Sequence, residues 1–323
     1  MRKPKTLRPD SHIALVAPSS PVSDEKLAMS VASMEFIGLR YTLYPSCTMK
    51  HGYLSGPDAQ RARDLNDAFG DPDIDGIFCL RGGYGATRLL PLLDYETIRR
   101  NPKVFIGYSD ITALHTAFGQ LCGFTTIHSP MPTRGWDTLD SLSLDLLKKA
   151  LFSGKPAGPA PVPLRLQPGP RGEPAGEPLA PETLVPGQAQ APLCGGNLSL
   201  LTATLGSPYE IDCKNKILFI EDVGAPHYAI DRDLTALSLA GKFRDCAGLI
   251  FGTFTDVPPL SEDGEGNLEL RQILEEVAAP WGKPAILNFQ AGHSYPFITL
   301  PFGTEAFLDA SSGGLNFLEA PTA

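Results

Sequence analysis

The chain has 323 residues, a net charge of −9, 42% apolar residues and a mean hydropathy of −0.05, which suits a soluble globular protein long enough for two domains. With no Lys/Arg cluster to oppose it, that acidity argues against a nucleic-acid partner and leaves a small molecule or a peptide as the expected ligand. The basic opening leads into an apolar run, residues 13–17, too short for a signal-peptide core, and no stretch is long enough to span a bilayer.

Short apolar runs then alternate with helix-like stretches: strands over 12–17, 40–44 and 74–80, helices over 24–37 and 59–69. Such alternation implies a largely parallel sheet covered on both faces, whose ligands bind beyond the carboxyl ends of the strands. Residues 17–20, 81–85 and Ser109 all follow predicted strands and should share that edge.

The sharpest signal is Gly107-Tyr108-Ser109-Asp110, where an apolar strand delivers a serine onto a tight turn and a helix over 111–121 begins behind it. Such a turn exposes the hydroxyl and leaves helix-start N–H groups free to stabilise negative charge, as in a nucleophile elbow. The usual G-x-S-x-G is incomplete, because Ile111 stands where the second glycine would be. The competing reading is that Ser109 simply caps the helix. Just upstream, Arg81-Gly82-Gly83-Tyr84-Gly85 has the glycines that let main-chain N–H groups approach an oxyanion; a phosphate loop is the weaker alternative without a following Lys-Ser/Thr. The N–H of Asp110 would be the second donor.

Residues 155–192 carry eleven prolines, five glycines and no aromatic residue. Proline removes N–H donors, so this stretch is expected to connect an N-terminal domain (1–154) to a C-terminal one (193–323), with at most short edge strands; a lid over the site is the other reading. The second half resumes with a turn into a helix at Cys194–Leu201, strands over 216–220, 248–251 and 285–289, and helices over 230–240 and 268–277. The six cysteines, at 47, 79, 122, 194, 213 and 246, form no C-x-x-C pair and are expected to be free thiols in a reducing compartment.

A serine nucleophile needs a base, and six histidines are available. His12 and His115 are expected to be structural, His51 exposed, His128 ambiguous at a strand end, and His227 part of a loop after Glu221. His293 sits just past a strand, between Gly292 and a nearby proline, in a loop that can fix an imidazole. Glu221 ends the strand 216–220 and is the expected orienting carboxylate; Asp222 competes, but strand alternation points the two apart. Glu221, Asp222, His227, Asp231 and Asp233 could alternatively be read as metal ligands, although their spacing matches no known pattern. Asp231 and Asp233 are expected instead in the first turn of a helix.

Taken together, Pro18-Ser19-Ser20, the Arg81–Gly85 motif, Gly107-Tyr108-Ser109-Asp110, Gly195-Gly196-Asn197-Leu198, Ile220-Glu221-Asp222 with Ile230-Asp231-Arg232, and Gly292-His293 resemble the serine L,D-carboxypeptidases, a family that includes the microcin C immunity hydrolases. The resemblance spans nearly the whole chain. It implies a Rossmann-like or flavodoxin-like N-terminal domain and a C-terminal α/β domain with the active site at their interface. Ser109 would be nucleophile, His293 base and Glu221 its orienting acid, with Gly83 and Asp110 as oxyanion donors and Arg81 and Tyr84 as substrate contacts. The implied activity is release of terminal D-alanine from murein tetrapeptide during peptidoglycan recycling, without metal or other cofactor, in a cytoplasmic homodimer. Relatives often read His-Gly-Pro-Met where this chain has His128-Ser129-Pro130-Met131. Microcin-type members stack an interdomain aromatic residue on a nucleobase, and residues 155–192 offer none, which leans toward the cell-wall peptide. The alternatives are a peptidyl-adenylate or acyl-sulfamoyl adenylate hydrolase and, outside enzymes, a two-lobed ligand-binding protein.

Overall fold

A computed structural model of the chain describes residues 1–162, 180–258 and 268–323. Part of the proline-rich stretch therefore lies outside the described residues. The strands of the first half are β1 (His12–Val16), β2 (Arg40–Leu43), β3 (Gly76–Cys79), β4 (Val104–Gly107) and β5 (Thr126–His128). Those of the second are β6 (Gly158–Pro159), β7 (Glu182–Val185), β8 (Gln188–Asn197), β9 (Ile217–Val223), β10 (Gly248–Thr255), β11 (Ala285–Leu287), β12 (Leu300–Phe302), β13 (Glu305–Asp309) and β14 (Gly314–Phe317).

They form two sheets, ordered β12-β5-β4-β3-β1-β2 and β6-β14-β13-β8-β9-β10-β11-β7. In the first, β2-β1-β3-β4-β5 is wholly parallel, the flavodoxin-like order in which the chain reverses direction between β1 and β3. The loops leaving β1 and β3 flank that switch point, and Ser20 N–H donates to Gly82 O at 3.2 Å. Strands β1, β3 and β4 are buried on both faces because helices cover both sides, which is why they read as continuous apolar runs, while the edge strand β2 stays largely exposed. The helix Asp24–Ile37 begins where Ser23 accepts from Lys26 N–H and stops at Gly38, whose φ of 73° only glycine adopts readily. Behind β4, Phe69, Phe105, Phe118 and Phe124 pack as stacked and edge-to-face pairs, each burial stabilising the fold by about 1.5–3 kcal/mol.

The second sheet is parallel from β8 through β9 and β10 to β11, with antiparallel strands at both ends. Residues 188–192 are not connector but the first half of a central strand: they pair with β13, after which 193–197 pair with β9. The run Gln188–Ala191 contains no proline, and Pro192 stands where the strand exchanges one partner for the other, so its missing N–H interrupts little. Cys194–Asn197 is accordingly strand rather than turn, and the helix Leu198–Ala203 starts directly from it. Strand β12, from the last quarter of the chain, adds antiparallel to β5 of the first sheet. All six cysteines are free thiols, five of them buried. Among the described residues no helix is long and apolar enough to cross a membrane.

Candidate active site

Strand β4 ends at Gly107, and Tyr108 continues it in extended conformation. Ser109 then takes a φ of +64°, a left-handed conformation that costs a non-glycine residue roughly 1–2 kcal/mol. A single 3₁₀ turn, Ser109–Ile111, leads into the helix Thr112–Ala117, which finishes as a π-turn at Phe118–Cys122. The elbow closes tightly: a Cβ on Gly107 would lie 2.6 Å from Ile111 Cγ2, and one on Gly82 would lie 2.9 Å from Ser109 Cβ. Tyr108, not Ser109, holds the cap position, so the capping alternative for this serine does not describe the turn.

At the carboxyl end of β9, Glu221 is fully buried and accepts a hydrogen bond from His293 Nδ1–H at 2.7 Å. The carboxylate fixes the tautomer that leaves Nε2 unprotonated. Gly292 makes the approach possible, because at its φ of +95° a Cβ would stand 2.6 Å from Glu221 Cδ. Asp222 faces elsewhere, as alternation requires, and receives the N–H and hydroxyl of Ser199 at the start of the helix Leu198–Ala203 that leaves β8. Asn197 Nδ2 bridges the two acids, at 2.9 Å from Asp222 Oδ1 and 3.4 Å from Glu221 Oε1.

The two sheets meet at this point. The Tyr108 ring, adjacent in sequence to Ser109, lies 5.0 Å from the His293 ring, centroid to centroid. Asn197 N–H donates to Thr112 Oγ1 at 3.0 Å, and a Cβ on Gly196 would lie 2.7 Å from Thr112 Cγ2, so the helix behind the elbow is seated on β8. Arg134 holds the Tyr108 hydroxyl from Nε and Nη2 at 3.0 and 2.6 Å.

The remaining histidines fall elsewhere. His12 opens β1, and His51 is exposed. His115 is buried behind β4, bonded through Nε2 to Gly107 O at 2.9 Å, and burial lowers its pKa to about 4. His128 is buried among Tyr108, Phe219, Phe297 and Phe302; desolvation first, then His115 and His293, hold it well below the usual imidazole range. Both therefore stay neutral. His227 is not in a loop but opens the helix His227–Leu239, and this earlier start puts Asp231 and Asp233 in the second turn instead of the first. Among the described residues no three His, Cys, Asp or Glu side chains come together to hold a metal ion, so the five-residue metal alternative does not assemble.

The loop after β3 reaches the elbow, with Gly83 at φ +103° against Ser20 and Tyr84 N–H donating to Ser20 Oγ at 3.2 Å. Tyr84 is exposed beside Tyr53, ring centroids 5.7 Å apart, and Arg81 Nη1 donates to Pro21 O at 2.6 Å.

Residues 13–129 match the model of the LD-carboxypeptidase N-terminal domain, and residues 190–308 that of its C-terminal domain. The chain belongs to the LD-carboxypeptidase family. It is a hydrolase of the carboxypeptidase class. This LD-carboxypeptidase is 39% identical over 312 residues to a probable murein peptide carboxypeptidase of Bacillus subtilis, covering 96% of this chain and 92% of the relative. It is 31% identical over 304 residues to the murein tetrapeptide carboxypeptidase of Pseudomonas aeruginosa, covering 94% of each. Its fold matches that of an MccF-like protein from Bacillus anthracis with a TM-score of 0.89 at 26% identity, over 99% of this chain and 100% of the other.

Sequence reasoning missed several residues that build the site. Ser19 and Asn197 stood inside the quoted motifs without a role, and Arg61 reads as one more surface cation in an amphipathic helix, Asp58–Gly70, yet is fully buried. Tyr108 could have been flagged as the neighbour of the serine; its contact with His293 depends on the meeting of the two sheets.

Proposed function

We propose that Ser109, His293 and Glu221 form a catalytic triad that releases the terminal D-alanine of murein tetrapeptide. His293 Nε2 takes the Ser109 proton as Oγ attacks the carbonyl joining the L-centre of the diamino acid to D-alanine. The N–H groups of Gly83 and Asp110 stabilise the oxyanion, and His293 returns the proton to the departing amine. Water activated by the same imidazole then frees the tripeptide. Arg81 and Tyr84 contact the substrate at the rim.

The observation that carries this reading is a serine at φ +64°, directly after a residue whose ring lies 5.0 Å from an imidazole bonded to a buried carboxylate. Mass-spectrometric detection of D-alanine released from L-Ala-γ-D-Glu-meso-diaminopimelyl-D-Ala tests it. Release that resists chelator and disappears in Ser109→Ala is the expected result; undiminished release by Ser109→Ala would refute the mechanism. The likeness to an MccF-like protein is consistent with a second substrate reading, a peptidyl-adenylate or acyl-sulfamoyl adenylate, and cleavage of such a compound without D-alanine release would decide for it. We further propose a cytoplasmic homodimer serving peptidoglycan recycling; cell fractionation and sedimentation velocity are the checks.

A further inference from the structure

The loops that carry the proposed oxyanion donors are held by two buried ionic side chains that have no part in the triad. Asp110 is 1% exposed, and its Oδ2 accepts the Ser19 hydroxyl at 2.6 Å and the Ala86 N–H at 2.8 Å. One carboxylate oxygen thus ties the elbow to the loop after β1 and to the far end of the loop after β3. On the other side of those loops, Arg61 is fully buried. Its Nη1 donates to Pro18 O and, at 3.0 Å, to Gly85 O; its Nε donates to Gly56 O at 3.2 Å, and Nη2 pairs with Asp58.

Burying ionic groups is costly, and apolar residues of similar volume would stabilise the fold as well or better. What these groups supply is geometry. The Gly82–Gly83 segment has no slack, since a Cβ on Gly82 would lie 2.9 Å from Ser109 Cβ and one on Gly83 would lie 2.8 Å from Ser20 Cβ. Anchors at Gly82 O, Tyr84 N, Gly85 O and Ala86 N bracket Gly83 on both sides. Burial raises the Asp110 pKa, and the Ser19 hydroxyl, the Ala86 N–H, the Arg61 charge and the Gly85 N–H oppose that rise, so the carboxyl is held from both loops.

We propose that Asp110 and Arg61 are positioning residues for the oxyanion site: the Asp110 side chain anchors the loop that aims the Gly83 N–H, while its main chain supplies the second donor. The inference rests on the role proposed for Ser109. It makes one residue responsible for both donors, through its own N–H and through a carboxylate that fixes the other.

The test is the rate at which a fluorophosphonate labels Ser109, read by intact-protein mass spectrometry alongside D-alanine release. Labelling forms a P–O bond from Ser109 Oγ, expels fluoride and develops charge on the phosphoryl oxygen, so it needs the same donors whatever the natural substrate is. Asp110→Ala keeps the main-chain N–H but removes the anchor, and should slow labelling and kcat about 10²-fold with KM within threefold. Asp110→Asn keeps an oxygen able to accept from both Ser19 and Ala86 and should recover most of the rate. Should Asp110→Ala fail to fold, Ser19→Ala removes one of the two tethers and should lose about tenfold. Arg61→Lys, which cannot span the same carbonyls, should fall with Asp110→Ala.

Labelling and kcat within threefold of wild type in Asp110→Ala or Ser19→Ala would overturn the proposal, as would a loss that Asp110→Asn fails to restore. Wild type that labels without releasing D-alanine would sink the murein reading and leave the anchor standing. Wild type that neither labels at Ser109 nor releases D-alanine would sink both.

Discussion

Gly292 gives the most direct test of the Glu221–His293 pair, because its substitution displaces the pair while leaving both residues themselves unchanged. A methyl carbon there would lie 2.6 Å from Glu221 Cδ and Cγ and nearer still to Oε2, where ordinary contact begins at 3.4 Å, so carboxylate or loop must give way by about 1 Å. Displacement on the order of 1 Å costs a catalytic constellation about 10²-fold, equivalent to about 2.7 kcal/mol of transition-state stabilisation. The φ of +95° adds about 1–2 kcal/mol of backbone strain to the folded state. Gly292→Ala should therefore lower kcat about a hundredfold and the melting temperature by a few degrees, with KM little changed. D-alanine release measured in parallel with thermal melts, at a temperature where the variant is fully folded, separates the two effects. A kcat within threefold of wild type would show that the 2.7 Å bond is not what orients the imidazole.

Glu221→Gln keeps the shape but removes the charge that fixes the tautomer, and should cost on the order of 10⁴ in kcat, measured by D-alanine release; a loss below tenfold would contradict the proposed triad. Gly195→Ala would bring a methyl within 2.8 Å of the Phe219 backbone in the centre of the second sheet, so soluble yield and circular dichroism should report failure to fold. His115 is held neutral, with its pKa lowered to about 4 by burial, while in the unfolded chain it titrates near 6.5. Its share of stability is thus complete above about 6.5 and is lost as pH falls toward 4, a difference on the order of 3 kcal/mol by denaturant titration. His115→Gln should remove that share and leave the contribution of His128, which burial also holds neutral. Tyr84→Ala, at the exposed rim, should raise KM several-fold and leave kcat unchanged.

The sequence carried the local chemistry of this protein because that chemistry is written in short segments. Alternating apolar runs specify a parallel sheet, the glycine of Gly107-Tyr108-Ser109 specifies a tight turn, and a carboxylate after an apolar strand stands at the sheet edge whatever the rest of the chain does. Strand alternation alone separated Glu221 from Asp222, since successive side chains leave a strand in opposite directions. Proline count misled over 188–192 because it averages a window, while a strand is decided residue by residue. Only the tertiary structure decided that β12, far along the chain, closes the first sheet and that Tyr108 meets His293. It alone separated buried Arg61 from surface arginines, because burial of a charge is paid for by carbonyls of Pro18, Gly56 and Gly85 that the chain brings from three separate loops. Such contacts depend on long-range closure, and no local pattern of residue types encodes which distant backbone group will face a given side chain.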